Sequence, residues 1–358
     1  MVIKRDLSLD LIRAVAVTLV IFHHFFQEIN YSKYPSFVRY LIELFINHGA
    51  YGVQLFFAVS GYIMISKYEI IPSIFKYMVL RYTRLVPMLT VIVLFNLAIF
   101  KFFEKQNVNI LDGFPSVLII DPQIFNSLFN TNRFKWIDDS FWTLFVEIRF
   151  YLIFGLMIKF LGSRTLIFKK ISLFFLCLFT QILYLVSDVL NFEFIHKLCF
   201  WILIPDYFIY FLVGVILYSP KSIKMRNIFV CLFPIECIYI IMQLVKNPFS
   251  LSSLFSQQSA TLLEYFSFIF FAFYISNFLI LKFKALSSVA NLIGFPSYVS
   301  YLLHQNLFLF LYPLLSKNFD DLFLCLLLYF FVMALSYQLS KNVEPRLIRL
   351  SRSRFSFR

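Results

Sequence analysis

Residues 8–28 read SLDLIRAVAVTLVIFHHFFQE, an apolar run that contains an arginine and two histidines. A helix of about 20 such residues spans the hydrocarbon core of a bilayer, which is roughly 30 Å thick. The basic residues Lys4 and Arg5 precede this run as they do in a signal peptide, but no small-residue cleavage site follows. We therefore predict that the run is retained as the first membrane-spanning helix.

The composition of the whole chain is that of a membrane protein. Of 358 residues, 61% are hydrophobic and only 14% are charged, and the mean hydropathy is +0.81. These values lie far outside the usage of soluble domains. The net charge of +13 does not indicate a nucleic-acid partner, because the basic residues lie between apolar runs, where they act as topology signals.

Ten apolar runs are long enough to cross a bilayer, and they predict an all-α, polytopic fold with about ten transmembrane helices. The seventh is interrupted by Pro234 and Glu236. With the N-terminus inside, 21 of the 32 Lys and Arg residues fall in inner segments, so both termini are predicted to be cytoplasmic. The predicted spans lie near 8–28, 48–66, 84–102, 140–161, 168–187, 200–218, 227–245, 260–281, 296–315 and 321–340.

The ten predicted spans and their loops form one transmembrane domain, residues 1–345. A basic cytoplasmic tail, residues 346–358, is predicted to follow it. The longest predicted loop, 101–139, is external, and loops of this length are often functional. The five cysteines all lie in apolar runs without a C-x-x-C pair, so we expect neither a disulfide nor a metal site.

Two ionisable residues of the first span, Arg13 and His24, project from one helical face. Eleven residues at about 100° each leave an offset of roughly 20° and a separation of about 16 Å along the axis. Arg13 is predicted near the cytoplasmic end and His24 near the outer end. Ionisable side chains in a membrane helix are costly and often functional. A snorkelling arginine and an interfacial histidine would explain the pair equally well.

Two further arginines, Arg81 and Arg84, lie three residues apart at the entry to the third span. They share the depth predicted for Arg13. Alone they are the ordinary signal of a cytoplasmic loop. Together with Arg13 they would form a site suited to phosphates, because a guanidinium offers two parallel donors to phosphate oxygens.

The fourth and ninth spans also carry polar residues. Glu147 is predicted level with His24, and since it lies two residues from Arg149 on a helix, each needs another partner. Ser297, Ser300, Tyr301 and His304 follow a helical spacing of three, four and seven, which draws one polar stripe on an apolar helix. Pairing or hydrogen bonding between helices is the plain alternative for both sets.

In their order, these motifs resemble those of the family-3 integral membrane acyltransferases, the group that contains bacterial sugar and polysaccharide O-acetyltransferases. The resemblance spans nearly the whole chain. One departure is Leu11, where members of the family commonly have glycine, and we expect it to affect packing. The matching pieces are Leu9 to Arg13 followed by His24, Phe56 to Tyr62 with Ser60 and Gly61, Arg81 with Arg84 and Pro87, Trp142 to Glu147, and Ser300 and Tyr301 with His304.

The resemblance implies transfer of an acetyl or other acyl group from cytosolic acyl-CoA to a carbohydrate hydroxyl. The acceptor would be O-antigen, capsule, exopolysaccharide or a lipid-linked precursor at a bacterial inner membrane, with membrane lipids around the protein. No permanently bound cofactor is implied, because acetyl-CoA serves as co-substrate. The implied roles are catalysis for His24 and Glu147, donor binding for Arg13, Arg81 and Arg84, and support for Trp142, Ser60, Tyr301 and His304.

Physical reasoning on the reaction also points to His24. A neutral imidazole can take the proton of a hydroxyl at physiological pH, whereas a guanidinium cannot. Glu147 would hold the imidazole or the acceptor sugar. A transient acyl-His24 is the competing route. A secondary transporter and a membrane polysaccharide polymerase or glycosyltransferase remain the alternative functions, although the chain has no internal repeat of the kind that many transporters show.

Overall fold

The structure is a computed structural model, and it describes residues 6–67, 73–102, 110–218, 257–283 and 285–353. Within these ranges every regular element is a helix and no strand occurs. The predicted all-α class is therefore confirmed for the described part of the chain. The seventh predicted span, 227–245, lies outside the described residues.

The helices are numbered in chain order, and in the described ranges three short 3₁₀ segments and one π-helical segment connect some of them. The 3₁₀ segments are Tyr31–Lys33, Ile110–Gly113 and Asp139–Phe141, and the π-helix is Ala290–Gly294. The α-helices are α1 Leu7–Gln27, α2 Ser36–His48, α3 Tyr51–Ser66, α4 Ile74–Phe102, α5 Phe114–Leu118, α6 Pro122–Leu128, α7 Trp142–Leu161, α8 Leu166–Val189, α9 Glu193–Leu203, α10 Phe208–Leu217, α11 Gln257–Lys282, α12 Ala285–Val289, α13 Ser297–Leu315, α14 Asp321–Asn342 and α15 Glu344–Ser353.

By length and composition, five helical segments of the described chain could cross a membrane, or up to seven if each of two bent pairs is one span. One bent pair joins α2 to α3 at 44°. The count of ten spans and the cytoplasmic location of both termini stay predictions. The five segments are Leu7–Gln27, Ile74–Phe102, Leu166–Val189, Glu193–Leu217 and Asp321–Ser353.

Several predicted boundaries differ from the structure. Helix α2 falls in a segment that was predicted as an outer loop. Helix α4 begins at Ile74 rather than near 84, so Arg81 and Arg84 lie within it. The sixth predicted span, 200–218, is interrupted between α9 and α10, because Pro205 lacks an N–H and restricts the residue before it.

The chain divides into two compact units, which are described separately. The first contains residues 1–53, 79–148 and 279–358, and the second contains 54–78 and 149–278. In the first unit, α1 packs against α2, α12, α13, α14 and the π-helix. Two thirds of α1 is buried, compared with one third of α4. Helix α1 is therefore the central helix of the first unit.

Two glycines of the first unit allow backbone to pack directly on α1. A Cβ atom at Gly52 would lie 2.3 Å from the carbonyl oxygen of Ala16, and one at Gly294 would lie 1.8 Å from that of Asp10. No other residue fits at such distances without moving the backbone. These contacts fix α1 against the π-helix and against the first turn of α3, which belongs to the same unit.

In the second unit, α3 and α10 pack backbone to backbone through two glycines. A Cβ at Gly61 would lie 2.0 Å from the carbonyl oxygen of Phe211, and one at Gly214 would lie 1.8 Å from that of Ala58. Small residues permit this close approach of membrane helices. The Ser60-Gly61 motif thus lies at a helix-packing contact.

Helix α14 shows the surface expected of a helix that faces lipid. Phe323 is 54% exposed and Phe330 is 65% exposed, whereas Leu324 and Leu328 on the other face are buried. Large apolar side chains on the outside are unfavourable in water and favourable against lipid tails. The described helices are therefore those of a membrane protein.

Candidate active site

Two histidines from different helices meet inside the first unit. His24 lies near the end of α1 and His304 lies in the middle of α13. Their ring centroids are 5.2 Å apart, with an angle of 46° between the ring planes. His304 is 0% exposed, whereas His24 is only partly buried. Of the two rings, that of His24 is therefore the more accessible.

The hydrogen bonds of His304 define its tautomer. Its Nδ1 lies 2.7 Å from the carbonyl oxygen of Tyr301. Because a carbonyl only accepts, Nδ1 carries the proton, and Nε2 of the neutral ring is left as an acceptor. Among the described residues, this buried Nε2 has no hydrogen-bond partner. The site thus contains an unused basic lone pair beside His24.

The neighbouring histidine, His23, has a different environment. Its Nδ1 lies 2.8 Å from the carbonyl oxygen of Ile46, and its Nε2 lies 3.1 Å from the side-chain nitrogen of Gln27. Both ring nitrogens therefore have partners, and one of them joins α1 to α2. His23 and His24 are adjacent on α1 and therefore point in different directions.

Tyr301 joins α13 to the start of α7, one turn before His304. Its hydroxyl donates to the carbonyl oxygen of Ser140 at 2.9 Å and lies 2.8 Å from Oγ1 of Thr143. The backbone N–H of Trp142 also donates to Ser140. All four predicted residues of the α13 stripe, which runs from Ser297 to His304, are buried. The stripe and the Trp-to-Glu motif are therefore parts of one site.

A buried carboxyl group, Asp138, strengthens this junction. It accepts hydrogen bonds from the backbone and side chain of Ser140 and from the backbone N–H of Asn306. Burial raises the pKa of Asp138 to about 6, because the desolvation of the charged form outweighs its hydrogen bonds. Asn306 also donates to the carbonyl of Ile137 at 2.8 Å. The loop before α7 is thus fixed to α13 two residues beyond His304.

Sequence reasoning missed Asp138, Thr143 and Asn306. The local signal was an aspartate two residues before Ser140, a spacing typical of a side chain that caps a helical turn. That signal predicts a cap and gives no information about the contact with α13. The partners Asp138 and Asn306 are 168 residues apart in the chain.

Glu147 lies four residues after Thr143, on the same face of α7. It is partly buried, and its charge acts on Tyr301. Arg149 has partners elsewhere, because it donates to the carbonyl oxygens of Phe200 and Trp201 within the second unit. This outcome agrees with the prediction that Glu147 and Arg149 do not face each other.

The other end of α1 carries an ion pair that the sequence analysis did not anticipate. Nη1 of Arg13 lies 2.9 Å from Oδ1 of Asp10, whose side chain is 3% exposed. Asp10 therefore offsets part of the charge of Arg13, and donor binding by Arg13 stays a prediction. The spacing of three residues on a helix was the signal that could have revealed this pair.

The segment 294–298 touches the surroundings of both Arg13 and Arg84. Gly294 packs on the backbone of Asp10, the partner of Arg13, and Tyr298 donates to the carbonyl oxygen of Leu85, the neighbour of Arg84. Backbone near Arg13 on α1 and next to Arg84 on α4 therefore contacts this one short segment.

The predicted tail is also close to these arginines. Its first part forms helix α15 and packs on α14. The charges of Arg81 and Arg84 act on Arg352, and that of Arg84 also acts on Glu344. The C-terminal helix therefore adds both a positive and a negative charge to the surroundings of α4.

The structure thus unites most of the predicted residues within the first unit. His304 lies beside both His24 and Tyr301, and the charge of Glu147 acts on Tyr301. Ser60 belongs to the second unit. In the part of the chain that the structure describes, no group of three or more His, Cys, Asp or Glu side chains is arranged to hold a metal ion.

The fold and site define an integral membrane protein with ionisable side chains held between its helices. A family model described as an acyltransferase domain matches residues 6–341, which is nearly the whole chain. The chain therefore belongs to the family-3 acyltransferases, as the motifs indicated, and is a membrane acyltransferase. No curated protein and no solved structure matches it.

Proposed function

We propose that this acyltransferase moves an acetyl or related acyl group from acyl-CoA to a hydroxyl of a cell-surface carbohydrate. The observation that carries the proposal is the position of His24, a partly exposed imidazole beside the lone pair of buried His304. Acyl transfer to a hydroxyl requires a base of this kind. Membership of an acyltransferase family supports the same reaction class.

In the proposed reaction, the neutral imidazole of His24 takes the proton of the acceptor hydroxyl as its oxygen attacks the thioester carbonyl. The carbon–sulfur bond then breaks, and the CoA thiolate receives the proton from His24. Glu147 lies on the face of α7 that meets Tyr301, where a carboxylate can accept hydrogen bonds from sugar hydroxyls.

The donor would bind at the other end of α1, through Arg13, Arg81 and Arg84. Guanidinium groups bind phosphate oxygens by two parallel hydrogen bonds, which suits the phosphates of CoA. The segment 294–298 contacts the backbone of Asp10, the ion-pair partner of Arg13, and that of Leu85, which follows Arg84, and this nearness supports a shared site. The pantetheine arm would then extend along α1, over the roughly 16 Å that separate Arg13 from His24.

The acceptor would lie on the opposite side of the membrane from the acyl-CoA. This arrangement fits a multi-pass enzyme of the bacterial inner membrane that modifies O-antigen, capsule, exopolysaccharide or a lipid-linked precursor. The surrounding lipids would contact apolar faces such as that of α14. Acyl-CoA acts as a co-substrate in this proposal, and no resident cofactor takes part.

The test is transfer of radiolabelled acetyl from acetyl-CoA to endogenous glycan in membranes that contain the wild-type chain, His24→Ala or His48→Ala. His48 is the control, because it is a histidine of α2 whose Nδ1 lies 3.0 Å from the hydroxyl of Tyr51. We expect label in wild type and His48→Ala, and a loss of about 100- to 10,000-fold in His24→Ala. Full labelling by His24→Ala would exclude His24 as the base. No labelling by wild type would contradict the proposed function.

A further inference from the structure

The buried nitrogen of His304 is retained at a cost to stability. Its Nε2 has no partner among the described residues, although the side chain is 0% exposed. A buried polar atom without a hydrogen bond destabilises the folded state relative to an apolar side chain of similar size. Packing alone does not explain why such an atom is kept in the folded protein, so its role is to be sought in the reaction.

We infer that His304 is a positioning residue, whose Nε2 accepts the ring N–H of His24 and directs the other nitrogen of His24 toward the acceptor hydroxyl. This inference rests on the proposed function, since it assigns a partner to the proposed base. It gives His24 one defined tautomer. His304 itself does not touch the reactants, because it is fully buried behind His24.

The distance between the rings is compatible with this role. Centroids 5.2 Å apart allow a ring nitrogen of each residue to approach the other after a modest rotation of His24. Hydrogen bonds between catalytic groups are often long in unliganded proteins and shorten when substrate binds. His304 has less freedom to rotate, because its Nδ1–H is held by Tyr301.

The support of His304 continues into the loop before α7. Tyr301, which holds Nδ1, is bonded to Ser140, and Ser140 in turn donates to Asp138. Asp138 also accepts from Asn306, two residues beyond His304. The position of Nε2 is thus fixed from both sides along α13.

Other titratable groups surround the pair on each neighbouring element. His23 is adjacent on α1, Tyr301 lies on α13, and the charges of Asp138 and Glu147 act on Tyr301. On α14, the hydroxyl of Tyr329 lies 2.9 Å from that of Thr18 on α1. His304 differs from these groups because its ring lies beside both His24 and Tyr301.

The proton balance of the step is simple. The acceptor hydroxyl loses its proton to His24, which becomes an imidazolium, and its oxygen forms the new ester bond. The bond from His24 to Nε2 of His304 stabilises this positive charge. When the carbon–sulfur bond breaks, the thiolate takes the proton, and both histidines return to the neutral form.

Two substitutions of His304 separate positioning from packing. His304→Gln keeps an acceptor oxygen near the place of Nε2, whereas His304→Leu fills the site with an apolar side chain. We expect kcat to fall by about 100-fold or more in His304→Leu and by about tenfold or less in His304→Gln, with KM for acetyl-CoA unchanged in both. We also expect His304→Leu to unfold at the same temperature as wild type or higher. A purely structural role would make activity follow thermal stability, and an equal loss of kcat in the two variants would overturn the inference.

A second measurement does not depend on acyl transfer. Diethyl pyrocarbonate modifies neutral imidazole, and fragmentation mass spectrometry can follow the rate at His24 with His48 as the internal reference. We expect the rate at His24 to fall by roughly two- to tenfold in His304→Leu, the ratio expected for one net hydrogen bond, and to stay near wild type in His304→Gln. An unchanged rate in His304→Leu would overturn the pairing. If wild type transferred no acyl group, the proposed function would fail, while this measurement would still decide whether the histidines are paired.

Discussion

Two aspartates of the first unit, Asp138 and Asp320, cap helical segments by the same local hydrogen bond and differ in burial. Asp138 accepts from the backbone of Ser140, and Asp320 accepts from the backbone of Leu322. Asp138 is 2% exposed, whereas half of the Asp320 side chain is exposed. Desolvation raises the pKa of Asp138 to about 6, and a hydrogen bond from Tyr34 lowers the pKa of Asp320.

The difference shows that burial decides what a capping aspartate does. Asp320 joins the segment after α1 to the start of α14, through Tyr34 and Lys33, at a surface where solvent screens each interaction. Asp138 joins the loop before α7 to α13 inside the protein, where solvent is excluded. Of the two, only Asp138 belongs to the network that positions His304.

The largest effect is expected for Asp138→Ala. This change leaves the donors of Ser140 and Asn306 without their acceptor in a buried site and should destabilise the protein by roughly 3 kcal/mol near pH 4, where the contribution of Asp138 is complete. Asp320→Ala should cost about 1 kcal/mol, the usual effect of losing an exposed cap. Thermal unfolding in detergent checks both, with Asp121→Ala as a control cap on α6. Equal losses at Asp138 and Asp320 would contradict the distinction.

The two aspartates should also give opposite dependences on pH. The folded pKa of Asp138 is raised, so the stability it contributes is complete below about pH 4 and is lost as the pH rises through about 6, a change of roughly 3 kcal/mol. The folded pKa of Asp320 is lowered, so its contribution is present at neutral pH and is lost as the pH falls through that lowered value.

Unfolding temperatures of wild type, Asp138→Asn and Asp320→Asn across this pH range provide the measurement. Asp138→Asn should remove the decline between pH 4 and 6, and Asp320→Asn should remove part of the decline at the acid end. The assignment of either shift would be wrong if the corresponding variant kept the wild-type slope in its own range.

A smaller effect is expected when one hydroxyl is removed from the buried contact between α7 and Tyr301 of α13. Thr143→Val removes one of the two partners of the Tyr301 hydroxyl at the start of α7 and should cost about 1 kcal/mol. Acyl transfer should also decline, because Tyr301 holds His304. The matched control is Thr90→Val on α4, where the hydroxyl bonds only within its own helix to Val86. Equal activities of the two variants would show that the junction is not needed for the site.

The smallest effect is expected at the exposed cap. Tyr34→Phe removes the hydroxyl that donates to both carboxylate oxygens of Asp320, and solvent screening should limit the loss to about 0.5 kcal/mol. Thermal unfolding should detect little change, and acyl transfer should match wild type. Tyr40→Phe, on the exposed face of α2, is the control. A marked loss of activity in Tyr34→Phe would place this exposed cluster in the functional network.

Local patterns predicted several of the helices and the buried polar face of α13. The spacing of Ser300, Tyr301 and His304 predicted a stripe that proves to be buried, and the helix containing Arg13 and His24 was found as expected. A helical period carries this information because neighbouring turns share one face.

Contacts between distant segments were not predictable in this way. Asp138 accepts a hydrogen bond from Asn306 of α13, which lies 168 residues later in the chain. The periodicity of a single helix gives no information about such a contact. The start of α4 was also missed, because its first turns are helical but less apolar than a membrane run. The ion pair of Arg13 with Asp10, three residues apart, was within reach of the sequence alone.

The central claim is that the two ends of α1 have different roles. His24 acts as the base at one end, and acyl-CoA binds near Arg13 and Arg84 at the other. Steady-state kinetics of reconstituted protein with acetyl-CoA test it most directly. We predict that His24→Gln lowers kcat by about 100-fold or more without raising KM for acetyl-CoA, and that Arg84→Gln raises this KM with little change in kcat. A raised KM in His24→Gln with kcat preserved, or the reverse pattern in Arg84→Gln, would contradict the account.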